Sequence, residues 1–133
     1  MPLVVTTLGE NRLLQSTLGV NALVSVMYHL YGNNWLPSQS DTLADYVELT
    51  LLGYAPVAVP GASWSVTADQ LGGAVATAPR ILWSITQAGP VYGYYVTDPG
   101  NTVVLWAEAI PGGPYVFLAD GSTFSLTPSF SAD

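Results

Sequence analysis

Few residues in this chain are of types that perform acid–base or nucleophilic chemistry. His29 is the single histidine, and cysteine is absent, so neither a thiol nucleophile nor a thiolate-held metal is possible. A histidine-based triad would have to use His29, whose neighbours in sequence include neither a nucleophile elbow nor a paired base. We therefore expect His29 to be a structural residue.

Three carboxylates, Asp41, Asp45 and Glu48, recur at intervals of four and three residues, which would gather them on one helical face. Clustered carboxylates suggest a calcium site, but the spacing lacks the dense run of oxygen ligands that a calcium loop supplies. A solvated helical face with acidic residues near its N-terminus is favoured. The sequence therefore predicts no metal and no cofactor.

Glu108 is the carboxylate that the sequence explains least. It lies in an apolar run, where a charge would need Arg12 or Arg80 as a partner. Glycoside hydrolysis requires two carboxylates across a cleft, and only one such position is identifiable. Asp98 and Asp120 lie in turn sequences, where carboxylates bind backbone N–H groups. We predict no catalytic residue and no enzymatic activity.

The charge balance argues against two classes of partner. The 133 residues include 9 Asp and Glu but only 2 Lys and Arg, which gives a formal charge of −7. Nucleic acid or an anionic membrane is bound by several cations on one face, and this chain lacks them. No uncharged apolar run reaches the roughly 18 residues that span a bilayer, and no basic region marks a secretory signal. We expect neither a nucleic-acid partner nor a membrane.

The predicted elements are organised around a hairpin at 91–108. Residues 91–97 and 103–108 are rich in β-branched and aromatic side chains and flank Asp98-Pro99-Gly100-Asn101, a turn sequence. Tyr92 and Tyr94 alternate with Tyr95, so both faces of the first strand carry apolar bulk. Such a strand belongs inside a sandwich or against a partner subunit. This bulk, with few charges to oppose contact, predicts a homo-oligomer, with a trimer favoured.

Turn signals divide the rest of the chain into short elements. Strands are predicted at 23–31, 47–54 and 80–86, and as hairpins at 64–67 with 74–77 and at 115–119 with 122–127. The 80–86 strand is expected to be central, with Ile81, Trp83 and Ile85 inward, and the last hairpin to turn at Asp120-Gly121. A helix is predicted at 8–18, with Thr7 at its start, and a helical turn at 40–46. The sequence thus predicts an all-β fold, one antiparallel β-sandwich of immunoglobulin-like or jelly-roll kind over residues 1–133, with one short N-terminal helix and one short helical turn.

Two apolar segments are candidates for protein contact. The lead Leu3-Val4-Val5 is either an edge strand of the same sandwich or part of an N-terminal arm, residues 1–6, that adds to a neighbour's sheet. The loop from Tyr31 to Leu36 carries Trp35, either as a lid on the core, which is favoured, or as an exposed anchor. The candidate residues are Leu3, Val4, Val5, Tyr31, Trp35 and Leu36.

Taken in order, several motifs resemble a group of small tailed-bacteriophage proteins. They are Leu8-Gly9-Glu10 with Leu13-Leu14, Leu30-Tyr31-Gly32-Asn33-Asn34 with Pro37, Tyr46-Val47-Glu48 before Gly53-Tyr54-Ala55, Trp64, Val91-Tyr92-Gly93-Tyr94-Tyr95-Val96-Thr97-Asp98, Leu105-Trp106-Ala107-Glu108, and Asp120-Gly121-Ser122-Thr123-Phe124-Ser125-Leu126-Thr127-Pro128. The chain departs from the pattern in lacking lysine and in having Pro111-Gly112-Gly113-Pro114 after the hairpin.

The resemblance implies a capsid decoration or cement protein. Such a protein is an oligomer on the capsid exterior of the virion, at joints between subunits of the major capsid protein. The alternative is a tail, fibre or baseplate component that binds host carbohydrate through aromatics such as Trp35. A small jelly-roll hydrolase or lyase is a third, less favoured possibility.

Overall fold

The computed structural model describes residues 3–68 and 72–132. Within these residues the chain forms one α-helix and twelve strands. They are β1 Val4–Val5, α1 Thr7–Thr17, β2 Ser25–Tyr31, β3 Val57–Pro60, β4 Ser65–Ala68, β5 Ala74–Thr77, β6 Ile81–Ile85, β7 Gly89–Val91, β8 Gly93–Thr97, β9 Val104–Ala109, β10 Tyr115–Phe117, β11 Ser122–Leu126 and β12 Ser129–Ala132, with 3-10 turns at Leu43–Asp45 and Gly61–Ser63. The predicted all-β, sandwich-like fold with one helix is confirmed.

The main sheet has five strands in the order β1-β9-β8-β2-β3, and every pairing in it is antiparallel. Its centre is the predicted hairpin of β8 and β9, paired from Gly93↔Ala109 to Thr97↔Val104 with a register shift after Val96. The alternating β-branched and aromatic residues on both sides of a strong turn explain why this element forms where the sequence predicts it.

From β5 to β12 the chain forms one long, two-stranded antiparallel ribbon. The outgoing side consists of strands β5 to β8, and the returning side consists of strands β9 to β12. β5 pairs with β12, β6 with β11, β7 with β10 and β8 with β9, all antiparallel. The Pro111–Pro114 break lies on the returning side between β9 and β10, where Gly112 and Gly113 have φ of 83° and 107°. These positive values are readily adopted by glycine, so the break turns the ribbon away from the main sheet.

Three strand predictions are wrong. The Asp120-Gly121 turn joins β10 to β11, but these strands do not pair with each other, because each returns along an earlier strand. β6 is not central, since it belongs to a two-stranded sheet with β11, although Ile81, Trp83 and Ile85 do lie inward as predicted. Residues 47–54 form no strand and contribute one bridge, Tyr31↔Glu48.

Strands β4 and β5, the two strands of the hairpin predicted at 64–67 and 74–77, pair with each other from Ser65↔Thr77 to Ala68↔Ala74. The predicted turn between them, 69–73, falls largely on residues 69–71, which lie outside the described residues.

Helix α1 begins one residue earlier than predicted. Its N-cap is Thr6 and not Thr7, and the Thr6 hydroxyl oxygen accepts a hydrogen bond from the Gly9 N–H at 2.8 Å. The helix lies close to β9 because Gly9 has no side chain, and a Cβ there would overlap the Leu105 carbonyl. No helix in the described part of the chain is long and apolar enough to cross a bilayer.

Both faces of the main sheet are covered. Tyr28, Val96 and Leu105 on one face pack in a large cluster with Trp83 and Phe117 of the ribbon. A second cluster lies on the opposite face and contains Tyr31, Tyr46, Tyr95, Val104 and Ala107. All five residues of β8 are buried. The aromatic bulk of β8 is therefore absorbed within one chain, which removes the reason for inferring an oligomer from this strand. The oligomer itself stays a prediction.

Candidate functional site

The second face of the main sheet is covered by Leu43 and Tyr46 of residues 32–56, which we call the 32–56 segment. The later residues Leu49, Leu51 and Tyr54 of this segment pack against the large cluster. All of the segment is described, and it contains the 3-10 turn Leu43–Asp45 and no strand.

Asn33 fixes the path of the segment, because the side-chain amide donates to the Asp45 carbonyl and accepts from the Val47 N–H, both at 2.9 Å. Side-chain hydrogen bonds thus supplement backbone bonds such as those from the Gly32 N–H to the Val47 carbonyl and from the Leu49 N–H to the Leu30 carbonyl, both at 2.9 Å.

Asp41 is the centre of the hydrogen bonds in this segment. Its side chain is 2% exposed, and its Oδ2 accepts hydrogen bonds from the Tyr46 hydroxyl at 2.6 Å, the Trp35 Nε1–H at 3.0 Å and the Ser38 N–H at 2.8 Å. Three donors on one oxygen satisfy a buried carboxylate without any cation. Burial, and then the hydrogen bond to Asp41, raise the pKa of Tyr46 well above its ordinary value.

Trp35 lies at the surface in a fixed orientation. Its side chain is 37% exposed and belongs to neither hydrophobic cluster, so the favoured prediction of a lid on the core is wrong. The indole N–H is bound by Asp41, and the Trp35 carbonyl accepts a hydrogen bond from the Tyr31 hydroxyl at 3.1 Å. The next residue, Leu36, is 61% exposed. These two side chains form an apolar surface that is already ordered before any partner binds.

Tyr31 is not a contact residue, which corrects another prediction. It has no exposed surface, and its ring lies edge-on to the Tyr46 ring with centroids 5.1 Å apart. Gly93 leaves room for it, since a Cβ there would lie 2.6 Å from the Tyr31 hydroxyl. Burial raises the pKa of Tyr31 to about 12. Its role is to support the Trp35 loop from beneath.

His29 fixes the far end of the 32–56 segment to the sheet. The imidazole is buried, with Nδ1 2.6 Å from Glu48 Oε2 and Nε2 2.9 Å from Thr97 Oγ1. The same Glu48 oxygen accepts a hydrogen bond from the Tyr54 hydroxyl at 2.6 Å, and the imidazole stacks on Tyr95 with centroids 4.6 Å apart. The expectation of a structural histidine agrees with this burial, and its carboxylate partner Glu48 is distant in sequence.

Glu48, His29 and Thr97 follow the acid–imidazole–hydroxyl order of a hydrolytic triad. Thr97 has no exposed surface, so a substrate carbonyl does not reach its hydroxyl in this conformation. The arrangement joins strands β2 and β8 to the 32–56 segment.

The carboxylates of the calcium hypothesis do not converge. Asp41 and Glu48 bind the separate donors described above, and Asp45 Oδ2 accepts a hydrogen bond from the Thr42 N–H at 2.8 Å. Among the residues that the structure describes, no group of three or more potential ligands is placed to hold a metal ion.

Tyrosine hydroxyls are the recurring partners of carboxylates here. Glu108 Oε1 accepts a hydrogen bond from the Tyr94 hydroxyl at 2.9 Å, and not from Arg12 or Arg80 as expected. Arg12 donates instead to the Asn21 carbonyl. The same pairing occurs at Asp41 with Tyr46 and at Glu48 with Tyr54. A chain with only 2 cationic side chains thus uses neutral O–H donors to satisfy its partly buried acids.

Asp98 closes the β8–β9 turn as predicted. Its carboxylate accepts hydrogen bonds from the Thr102 N–H at 2.7 Å, the Thr102 hydroxyl at 2.5 Å and the Val103 N–H at 3.1 Å. Burial alone would raise the pKa of Asp98, but these donors together hold it below the ordinary value.

The lead Leu3-Val4-Val5 takes the edge-strand alternative and not the arm. Val4 pairs with Ala107 and Val5 with Trp106, and all three lead side chains are half-buried. Leu3 and Val5 pack against the large cluster. Residues 1 and 2 of the expected arm lie outside the described residues.

Sequence reasoning missed Asp41, Glu48 and Thr97 as partners of Trp35 and His29. The signal that was present is compositional: a chain with few cations must satisfy its buried carboxylates with O–H and N–H donors.

Compared with models of protein families and with curated protein sequences, the chain gives no match.

Proposed function

We propose that this protein is a non-enzymatic component of a bacteriophage virion, a decoration or cement protein on the capsid exterior. It binds the major capsid protein at joints between subunits and stabilises their contacts. The motif resemblance supports the class of protein. The structural observation that carries the proposal is the fixed, partly exposed ring of Trp35 beside the exposed Leu36.

A rigid aromatic side chain is an efficient binding residue. Tryptophan supplies a large apolar area, and residues of this kind dominate the energetics of protein interfaces. Because Asp41 and Tyr31 already hold Trp35, little side-chain entropy remains to be lost on binding. The surface therefore suits contact with a preformed lattice.

The Asp41 carboxylate that binds the Trp35 indole is buried, and the exposed residues next to Trp35 in sequence carry no formal charge. Residues 13–40 contain no Lys, Arg, Asp or Glu. Long-range electrostatic steering is then weak at this surface, and affinity comes from shape and apolar burial. Binding to capsids should depend only weakly on salt concentration.

The test is co-sedimentation with capsids assembled from the major capsid protein without this chain. Trp35→Ala should weaken binding by about 2 kcal/mol, roughly thirtyfold in Kd. Leu36→Ser should weaken it less, whereas Leu118→Ser should not, although Leu36 and Leu118 are both 61% exposed. Wild-type protein that stays in the supernatant at every concentration would refute the proposal.

A carbohydrate-binding tail or fibre component is the second candidate, and one observation favours it. A shallow groove of about 230 Å³ is lined by Trp35, Tyr92 and Asn34, with Gly112 and Gly113 on its wall. Aromatic rings beside an amide suit a sugar, which offers an apolar face and hydroxyl groups. Calorimetric titration with host glycans separates the two functions, because Asn34→Ala should abolish sugar binding and leave capsid binding intact.

A further inference from the structure

We infer that this protein binds a second copy of itself through an uncharged apolar patch at the C-terminal end of α1. We define the patch as Leu14, Leu18, Val20 and Val24. It borders a hollow that opens into the sandwich, which we call the sandwich pocket.

The sandwich pocket is an apolar hollow of about 250 Å³. It lies where α1, the main sheet and the sheet of β4, β5 and β12 meet, and its wall includes Leu13, Val26, Trp64, Trp106 and Phe130. Burying such apolar surface against a partner lowers the free energy of the system. A hollow of this size accommodates aliphatic side chains from a neighbouring molecule.

The patch offers such side chains on residues that are neighbours in sequence of the pocket wall. Leu14, Leu18, Val20 and Val24 are 62%, 76%, 75% and 74% exposed. Thr17, which precedes Leu18, lines the pocket, and so does Leu23, which precedes Val24. The Gly61 N–H donates to the Val24 carbonyl at 2.9 Å and joins the patch to the opposite wall.

The distribution of charge selects the occupant. The chain has a formal charge of −7, so two copies repel each other wherever carboxylates face one another. Residues 13–40 and 49–68, which supply the patch and much of the pocket wall, contain no charged side chain. A second copy therefore approaches with least repulsion here.

The patch and the sandwich pocket are neighbours on one surface, which sets the symmetry. A surface that carries both is self-complementary, and two copies related by a twofold axis place the aliphatic side chains of each in the pocket of the other. The result is a dimer. Of the 91–108 hairpin, Trp106 on the pocket wall takes part in this interface, and the hairpin strands are otherwise largely buried within the chain.

The first experiment measures mass by sedimentation equilibrium over a concentration series, using the full chain. We expect a dimer whose Tm rises with protein concentration. Leu18→Glu with Val24→Glu should raise the dimer dissociation constant at least about a hundredfold. The control is Val116→Glu with Leu118→Glu, which adds the same charge at side chains 58% and 61% exposed and should leave the dimer intact.

A second variant distinguishes specific pairing from general stickiness. Thr17→Trp starts from an exposed position on the pocket wall and fills the hollow while adding apolar surface. Specific pairing predicts a weaker dimer, and circular dichroism verifies that the variant is folded. A monomeric wild type, or a dimer that survives both the double substitution and Thr17→Trp, would overturn the inference. The assay uses the purified protein alone, so capsid binding does not affect its result.

Discussion

The two faces of the main sheet are covered in different ways. The inner face packs against a regular ribbon, with Phe117 and Trp83 among many apolar side chains that share the contact. The other face is covered by the irregular 32–56 segment, whose position depends on hydrogen bonds to Asp41 and Glu48. Apolar packing distributes stability over many atoms, whereas a buried polar network concentrates it on a few. Single substitutions should therefore act globally on one face and locally on the other.

Alkaline pH should have the largest effect, because it disrupts both faces together. Burial, with the adjacent carboxylates, raises the pKa of Tyr46, Tyr54 and Tyr94 above the ordinary value of 10.0. The folded state thus prefers the neutral hydroxyls. Their contribution to stability is complete below pH 10 and is lost as pH rises through the folded-state values. Tyrosinate absorbance and far-ultraviolet circular dichroism should change together above pH 10, and full ionisation without unfolding would contradict this.

Phe117→Ala should have the next largest effect and acts on the inner face. Phe117 has no exposed surface, and removal of a buried phenyl ring costs about 3–5 kcal/mol. Urea denaturation should show a lower midpoint, with circular dichroism and tryptophan fluorescence still changing together. Separate transitions for the two probes would mean that the faces unfold independently.

Asp41→Ala should have a smaller and local effect on the second face. It leaves the Trp35 N–H, the Tyr46 hydroxyl and the Ser38 N–H without their shared acceptor. Trp35 and Ser38 are exposed, so water replaces the acceptor there, and the cost of about 1–3 kcal/mol falls on the buried Tyr46 hydroxyl. Hydrogen exchange should quicken in residues 33–46 and remain slow in the ribbon. Tyr46→Phe is the matched control, since it removes one donor and should cost about 1 kcal/mol. Uniformly faster exchange would show that the two faces are not distinct.

The elements with local signals were predictable from the sequence. The β8–β9 hairpin combines alternating apolar residues with a strong turn, and α1 combines a capping threonine with spaced leucines. The error of one residue at Thr6 arose because Thr6 and Thr7 are adjacent and only tertiary contact distinguishes them. The hydroxyl of Thr6 donates to the Val104 carbonyl of β9, which places it at the cap.

The second face was not predictable, because its partners are distant in sequence. Residues 47–54 have the apolar content of a strand, but Glu48 is held by His29 and Tyr54 and the backbone follows these bonds. Likewise, Asp120-Gly121 is a strong local hairpin signal, yet the longer pairing of β6 and β7 with the returning chain prevails. Where two strands have similar local propensity to pair with a third, the choice between them depends on how much apolar surface each pairing buries in the folded protein.

The folded ribbon has a consequence for the order in which the chain acquires its structure. Thr97↔Val104 is a short-range pairing, and Ala74↔Ala132 lies at the opposite end of the same ribbon. Once the first pairing forms, each later one closes only a small additional loop, so the entropic barrier to the distant contacts is removed in steps. The ribbon can grow from the Asp98 turn outward, and the strands β5 and β12 join last. A chain emerging from the ribosome would then hold β6 and β7 without partners until residues 115–126 are made, whereas β5 can already pair with β4 and β8 with β2.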